Sequence, residues 1–234
     1  MGKRRGVEEG YERVADAKSS GASPSGEPDA GRELRPQGRR TRKRLLDAAT
    51  VVLSDKGYHA TRVDDIVRRA RTSHGTFYLY FANKEDLFHA LAVQCAEEMT
   101  ALAGELGPVG PGPEGLEELR SWLGRFLTTY RRHGPVIRRW MEDQAIDRSL
   151  RRLGRRAFAD ITGSLVQRLS EGRAAHLPDA DLAAVALLAM IERFLYVLTS
   201  RDLELDDEVL LTSLSTVIHR GFFADGARRR PARA

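Results

Sequence analysis

Apolar residues return every three or four positions along most of the chain. This spacing holds from about residue 45 to 106 and again from about 116 to 223, and it indicates amphipathic helices rather than strands. Long runs of Val, Ile and Thr, which strands favour, do not occur. The pattern predicts an all-α fold, with helices at about residues 40–55, 62–70, 74–81, 83–106, 114–133, 135–146, 147–173, 179–200 and 207–223.

The most informative stretch is residues 61–87, TRVDDIVRRARTSHGTFYLYFANKEDL. It predicts two short helices joined by a tight turn, followed by the start of a third. Thr61 is predicted to cap the first helix, with Asp64 completing a capping box. Ser73 and Asn83 are predicted to cap the next two. This is the outline of a helix-turn-helix, whose second helix enters the major groove of DNA.

The second of these short helices combines small, polar and aromatic residues. Gly75 and Thr76 keep it slim where it would approach DNA, and His74, Thr76 and Tyr78 offer hydrogen-bonding groups. The alternative is a small helical hairpin with exposed aromatic side chains. Spacing alone does not decide between the two, because a motif needs its structural context.

Charge and composition favour a polyanionic partner. The 234 residues carry a formal net charge of +5, which suits DNA without proving that it binds. Residues 1–39 mix Gly, Ser, Pro and charged residues, which predicts disorder. The basic run at 39–44 leads into the first helix and is predicted to contact phosphates. A solvated tail that only aids solubility is the alternative.

Other bulk features exclude several classes of protein. A single Cys excludes an intramolecular disulfide and fits a reducing cytoplasm. The longest apolar run, 182–198, is interrupted by Glu192 and Arg193, which predicts a buried helix rather than a membrane span. An enzyme is a second hypothesis, but the chain has no paired metal-ligand spacing, nucleophile elbow or phosphate-binding glycine loop. We therefore expect no catalytic site, metal or cofactor.

Residues 45–87 resemble the DNA-binding domain of the TetR (tetracycline-repressor) family of transcriptional regulators. The resemblance is carried by LLDAATVVLSDKGY, ATRVDDIVRRA, SHGTFYLYF and NKEDLF. It covers under a quarter of the chain. Arg71 and Thr72 depart from it, because the family usually has Gly-Val in this turn. A residue other than glycine with positive φ costs on the order of 1 kcal/mol, so we expect either a slightly different turn or an arginine that faces phosphate.

The resemblance implies an all-α homodimer. An N-terminal three-helix DNA-binding domain with the helix-turn-helix would span 39–88, and a C-terminal helical ligand-binding and dimerisation domain would span 89–224. A disordered basic N-terminal arm over 1–38 and a disordered Arg-rich tail over 225–234 would flank them. Dimerisation is expected through the last two helices, at about 179–200 and 206–223.

Candidate DNA contacts follow from the resemblance together with the polar pattern. His74 and Thr76 are the best candidates for base edges. Thr61, Arg62 and Lys84 are expected to hold the DNA backbone, Lys84 with help from a helix N-terminus. The full set is Arg40, Arg42, Lys43, Thr61, Arg62, Arg71, Thr72, Ser73, His74, Gly75, Thr76, Phe77, Tyr78, Tyr80 and Lys84.

Large side chains on three successive helices are candidates for an effector site. They either line a cavity or fill the core. The stretch 131–156 carries nine Arg against three acids, which suits either an anionic head group or a solvated face. The candidate ligand-binding residues are Trp122, Phe126, Tyr130, Trp140, Met141 and Phe158.

These observations predict a cytoplasmic, ligand-responsive transcriptional repressor. A small apolar or amphipathic molecule, with an anionic head group left open, would release it from a palindromic double-stranded operator. The alternatives are an activator of the same family and an architectural DNA-binding protein that senses nothing. A fully packed core among the large side chains would favour the last of these, and an open cavity would favour sensing.

Overall fold

A computed structural model describes residues 36–142, 147–171, 179–200 and 206–224, and for residues 141, 142, 199 and 200 it describes the backbone alone. Every regular element in this part of the chain is a helix, which confirms the all-α prediction. The α-helices are α1 (Pro36–Ala60), α2 (Val63–Arg69), α3 (His74–Tyr78), α4 (Lys84–Gly104), α5 (Pro113–Arg132), α6 (Gly134–Glu142), α7 (Arg148–Glu171), α8 (Ala180–Ser200) and α9 (Asp207–Ile218). A π-helical turn, His219–Phe223, continues α9.

The first helix is longer than the sequence predicts. It begins at Pro36, so residues 36–38, which were predicted to belong to the disordered arm, are helical. Residues 1–35 and the predicted tail at 225–234 lie outside the described residues. Gly57 adopts φ 74° and ψ 168°, which bends the chain where the sequence predicts the helix to end. Glycine tolerates this backbone because it has no Cβ.

A compact core joins the first four helices. The apolar stripe of α1, with Leu45 and Ala49 fully buried, faces Ile66 of α2. Phe77 and Leu87 complete this core and are likewise fully buried. Burying one such side chain stabilises the fold by about 1.5–3 kcal/mol. The aromatic residue in α3 is therefore part of what holds the short helix in place.

The helix α4 runs from this core into the second half of the molecule without a break. It packs against α7, which packs against α8, while α5 packs against α9. The predicted domain boundary at residue 88 thus falls inside one continuous helix. Within the described ranges, no helix is both long enough and apolar enough to cross a bilayer.

The glycine- and proline-rich connection between α4 and α5 is packed into the protein. Leu106 is 1% exposed and Val109 is 0% exposed. The His219 Nε2 atom donates a hydrogen bond of 2.8 Å to the Gly110 carbonyl. The glycines and prolines of residues 107–115 predict a linker. Residues 107–112 do join α4 to α5, whereas Gly115 lies within α5. The sequence did not indicate that Leu106 and Val109 anchor this linker in the core.

Candidate nucleic-acid interface and internal cavity

The turn between α2 and α3 is a Schellman motif. The Thr72 N–H donates to the Val67 carbonyl at 3.0 Å, and the Arg71 N–H donates to the Arg68 carbonyl at 3.2 Å. These are the two hydrogen bonds that close such a helix end. Arg71 occupies the left-handed position, with φ 50°. The strain expected from an arginine in place of glycine is therefore present, and the turn keeps its geometry.

Replacing Arg71 with glycine is expected to raise the free energy of unfolding by about 0.5–1 kcal/mol. Glycine removes the left-handed strain of about 1–2 kcal/mol. It also raises the conformational entropy of the unfolded chain, which offsets part of this stabilisation. Urea unfolding of the purified protein measures the difference. Arg71→Lys, which keeps both the charge and the Cβ, serves as the control and should leave stability unchanged. Equal stability of the glycine and lysine variants would contradict the assignment of strain.

The short helix α3 presents polar side chains to solvent. Ser73 caps it, accepting a 3.1 Å hydrogen bond from the Thr76 N–H, as the sequence predicts. His74 is exposed, and its Nε2 atom lies 2.5 Å from Asp64 Oδ1. Tyr78 is 53% exposed. The exposed edge of α3 thus carries donors and acceptors that can reach base edges, with His74 held by a carboxylate of α2.

Two candidate DNA contacts are wrong because they have no accessible surface. Phe77 is 0% exposed and belongs to the core. Thr61 is 1% exposed, and its hydroxyl donates to the Gly57 carbonyl at 2.7 Å. The predicted capping box of Thr61 and Asp64 is also wrong, because the Thr61 hydroxyl bonds to Gly57 and α2 begins one residue later than predicted. Arg62 takes the N-cap position instead, and its N–H donates to Asp65 Oδ2 at 3.2 Å.

Lys84 joins the end of α1 to the start of α4. Its Nζ atom donates to the carbonyls of Tyr58, at 3.0 Å, and Thr61, at 2.9 Å, and lies 4.4 Å from the centre of the Tyr58 ring. Asn83 caps α4 as predicted, accepting a 2.7 Å bond from the Asp86 N–H. The contacts made by Lys84 are structural, whatever it adds to phosphate binding.

The remaining charges near α2 are arranged around a single carboxylate. The Lys56 Nζ atom donates to Asp65 Oδ1 at 2.8 Å, and this hydrogen bond lowers the pKa of Asp65 below its ordinary value. The pair ties the end of α1 to the start of α2. Arg62 is exposed beside it, so its guanidinium lies at the surface where a phosphate would approach.

The basic residues of α1 lie in different environments. Arg40 is exposed. The Arg42 guanidinium lies 5.3 Å from the centre of the Phe81 ring and is half-buried. Lys43 is exposed and pairs with Asp47 at 2.7 Å. Of these three residues, only Arg40 has no described side-chain contact. Arg42 and Lys43 would each have to break a contact in order to bind DNA.

A cavity of about 680 Å³ lies between α4, α5, α6, α7 and α8. Four of the six candidate ligand-binding residues line it, namely Phe126, Tyr130, Trp140 and Phe158. The walls are predominantly apolar, which is typical of a small-molecule site. The large side chains therefore form an open cavity rather than a filled core.

Two candidate ligand-binding residues stand apart from this group. Trp122 is 1% exposed and does not line the cavity, so its assignment was wrong. Its Nε1 atom donates to the Leu102 carbonyl at 2.7 Å, and its ring packs 5.3 Å from that of Phe126. The side chain of Met141 lies outside the described residues.

Residues 45–91 match the family model of bacterial regulatory proteins of the tetR family. The uncharacterized HTH-type transcriptional regulator YhgD of Bacillus subtilis (strain 168) is 24% identical over 189 residues, which cover 79% of this chain and 97% of that protein. The chain belongs to the TetR family. It is a DNA-binding transcriptional regulator, and the region matched by the family model contains the helix-turn-helix described above.

Two further proteins resemble this TetR-family chain. The HTH-type transcriptional repressor AcnR of Corynebacterium diphtheriae is 32% identical, over 50% of this chain and 65% of that protein. The crystal structure of the regulator FadR from Bacillus subtilis, in complex with stearoyl-CoA, has a TM-score of 0.58 and 22% identity. That alignment covers 76% of this chain and 98% of the other, and it confirms the helical fold of both halves.

The sequence analysis of this TetR-family regulator did not single out several residues near the turn between α2 and α3 and several residues of the cavity wall. Leu79 is 74% exposed beside Tyr78, and Arg68 and Arg69 are exposed at the end of α2. The sequence signal for Arg68 and Arg69 was a basic pair next to the turn between α2 and α3. In the cavity, the missed residues lie on helices that the sequence reading did not connect with the aromatic set. They include Cys95 and Met99 of α4, Ile137 of α6, Leu150, Arg151, Arg155 and Ile161 of α7, and Leu188, Ala189 and Glu192 of α8.

Cys95 contributes an unreactive thiol to the cavity wall. The side chain is 1% exposed, and burial raises its pKa to about 12. The thiolate is the form that reacts with oxidants. The described environment therefore favours the interpretation of Cys95 as a small buried hydrophobic residue over that of a redox sensor.

The arginines of 131–156 divide among several environments. The Arg131 guanidinium makes two hydrogen bonds to Asp207, at 2.8 and 2.7 Å, and thereby links α5 to α9. Arg139 lies over the Tyr58 ring, with its Cζ atom 3.3 Å from the ring centre. Arg151 and Arg155 line the cavity and are exposed, which places them at its mouth.

Proposed function

We propose that the protein is a repressor that a small apolar or amphipathic molecule releases from a palindromic operator. The observation that supports this most directly is that α6 contacts both functional regions. Ile137 and Trp140 of this helix line the cavity. Between them, Arg139 lies over the rings of Tyr58 and Phe88, at 3.3 and 4.9 Å from their centres. A ligand that moves α6 therefore also changes a contact of the DNA-binding half.

The cavity supports a sensing role over a purely architectural one. An architectural DNA-binding protein has no need of an apolar cavity, which forgoes packing energy. The FadR structure from Bacillus subtilis holds stearoyl-CoA, a molecule with a long apolar tail, and the related AcnR is named a repressor. The similarity to FadR supports an effector with a large apolar part, and the similarity to AcnR supports repression. We place the protein in the cytoplasm, where its operator would be.

Exposed apolar side chains on α8 and α9 support a homodimer through these helices. Leu182 is 67% exposed, Val209 is 61% exposed and Val217 is 59% exposed. Isolated exposed apolar residues are ordinary, but several on two helices that follow each other in sequence support an interaction surface. Two copies related by a two-fold axis would present their α3 helices to successive major-groove faces, roughly 34–36 Å apart.

Footprinting on DNA from the region upstream of the protein's own gene tests the operator-binding part of this proposal. We expect a protected palindrome with the native protein. Tyr78→Ala should weaken binding by roughly 5- to 150-fold, because one good contact to a base is worth about 1–3 kcal/mol. The control is Glu97→Ala, a substitution at an exposed residue of α4 outside the helix-turn-helix. Protection that is unchanged by Tyr78→Ala would contradict the placement of α3 in the groove.

Replacing Arg139 with methionine tests the link through α6. Methionine keeps much of the volume but removes the cation from the two rings, an interaction worth about 0.5–2 kcal/mol. We expect near-native operator affinity without effector, and a reduction of roughly fivefold in the loss of affinity that the effector causes. Fluorescence anisotropy with labelled operator measures both quantities.

Arg152→Met is the matched control, because Arg152 is exposed on α7 and does not line the cavity. It should leave both the operator affinity and the response unchanged. A full response in Arg139→Met would mean that the effector signal reaches the DNA-binding half by another route.

A further inference from the structure

The cavity contains a carboxylate that has no hydrogen-bond partner on one oxygen. Glu192 of α8 lines the cavity, and its Oε1 atom is buried without a partner among the described residues. The Tyr130 hydroxyl, also buried in the wall without a hydrogen bond of ordinary geometry, lies close enough to Glu192 that each group shifts the pKa of the other. A buried polar atom without a partner costs about 1–3 kcal/mol. Such a cost is retained where a ligand supplies the missing partner.

No described cation neutralises Glu192 from within the cavity. The adjacent Arg193 is exposed outside the cavity, with its guanidinium 5.2 Å from the centre of the Tyr196 ring, and its charge lowers the pKa of Glu192 by less than burial raises it. Arg151 and Arg155 are exposed at the cavity mouth, where water and salt screen their charges. Burial raises the pKa of the Glu192 carboxyl group, which reflects the cost of keeping its charge there. Among the three charged residues that line the cavity, the two arginines are exposed, and the half-buried Glu192 has a buried oxygen.

The rest of the wall also suits a positive charge. The rings of Phe126, Tyr130, Trp140 and Phe158 surround the same space. Aromatic faces attract cations, most strongly where water is excluded, and they commonly recognise quaternary ammonium groups. A buried carboxylate together with an aromatic wall selects a hydrophobic molecule that carries a positive charge over one with an anionic head group.

We propose that the effector is a hydrophobic organic cation whose positive charge lies beside Glu192. This inference rests on the proposed function, because it assumes that the cavity is the effector site. It goes further by assigning the sign of the charge and the residue that selects it. The open question of an anionic head group at the mouth arginines becomes an outcome of the test.

Tetraphenylphosphonium and tetraphenylborate form a suitable pair of probes, because they share shape and apolar surface but carry opposite charges. Neither has a hydrogen-bonding group, so the comparison isolates the charge. Titration calorimetry on the DNA-free full-length protein should show that the phosphonium binds at least tenfold more tightly. Glu192→Gln, which keeps the shape of the side chain, should weaken phosphonium binding at least tenfold and leave borate binding unchanged or stronger. Glu97→Gln, an exposed change on α4, controls for surface attraction.

The other outcomes separate this inference from the proposed function. Equal binding of both probes, unaffected by Glu192→Gln, would overturn the charge assignment and leave the cavity as a ligand site. Tighter borate binding that is lost in Arg151→Gln and Arg155→Gln would overturn it in favour of an anionic effector. Binding of neither probe would overturn both the inference and the sensing role. Circular dichroism of Glu192→Gln confirms that a loss of binding is not a loss of fold.

Discussion

Gly115→Ala is expected to lower the free energy of unfolding by about 2–3 kcal/mol. Helix propensity alone predicts the opposite, because Gly115 lies within α5 and alanine is favoured in helices by about 1 kcal/mol. A Cβ atom at this position, however, would lie 2.0 Å from the carbonyl oxygen of Gly110 and 2.6 Å from its nitrogen. Both are backbone atoms of the buried connection between α4 and α5, so the clash cannot be relieved by rotating a side chain.

The matched control is Gly163→Ala, in the middle of α7. A Cβ there has no heavy atom within 4 Å. Gly163 is exposed, so alanine should raise the free energy of unfolding by about 0.5–1 kcal/mol. The two substitutions are chemically identical and are expected to have opposite signs in urea unfolding. Stabilisation by both would mean that the connection is loose and can move away from α5.

Lys84→Met is expected to destabilise the protein by at least about 3 kcal/mol and to weaken operator binding as a result. The ammonium group satisfies two backbone carbonyls, those of Tyr58 and Thr61, near the bend at Gly57 in α1. Hydrogen bonds from charged donors are worth about 1.5–3 kcal/mol each, and an unsatisfied carbonyl adds a desolvation cost. Methionine fills similar space and donates nothing. Urea unfolding measures the stability, and anisotropy with operator DNA measures the affinity.

Lys43→Met provides the control with the same change of side chain. Its ammonium group is mainly exposed and pairs with Asp47 one turn away on α1. Exposed pairs of this kind contribute at most about 0.5 kcal/mol, so stability should barely change. If Lys84→Met left stability intact and reduced only the salt dependence of DNA binding, Lys84 would act through phosphate alone.

The helices were predictable because their signals are local. Apolar stripes and the caps Ser73 and Asn83 act within a few residues. The helix-turn-helix was equally local, including the strained position of Arg71. The errors at Thr61 and Phe77 have a different origin. Polar or aromatic character indicates which groups are available, but burial depends on how α1 covers them.

The cavity was only partly predictable, because it is a product of tertiary packing. The aromatic residues of α5 and α6 are near each other in sequence, whereas Cys95 and Glu192 meet across almost a hundred positions. The apolar character of α8 predicted burial on several sides and gave no reason to expect that one acidic residue would face a cavity. The burial of the connection at 107–115 was not predicted for a related reason. Its composition predicted a linker, while its apolar residues are anchored by distant helices.

Because α4 is continuous, a small tilt of this helix at the cavity gives a larger displacement at its DNA-binding end. Its first residue, Lys84, follows the helix-turn-helix, and Met99 lies in the cavity wall. About 15 residues separate them, which is roughly 22 Å along a helix. A tilt of α4 by about 5° at the cavity would therefore displace its N-terminal end, next to the helix-turn-helix, by about 2 Å. In a symmetric dimer the two displacements add to about 4 Å against a half-site spacing of roughly 34–36 Å. Such a change in the distance between the two α3 helices, about a tenth of the half-site spacing, would be enough to put them out of register with successive major grooves.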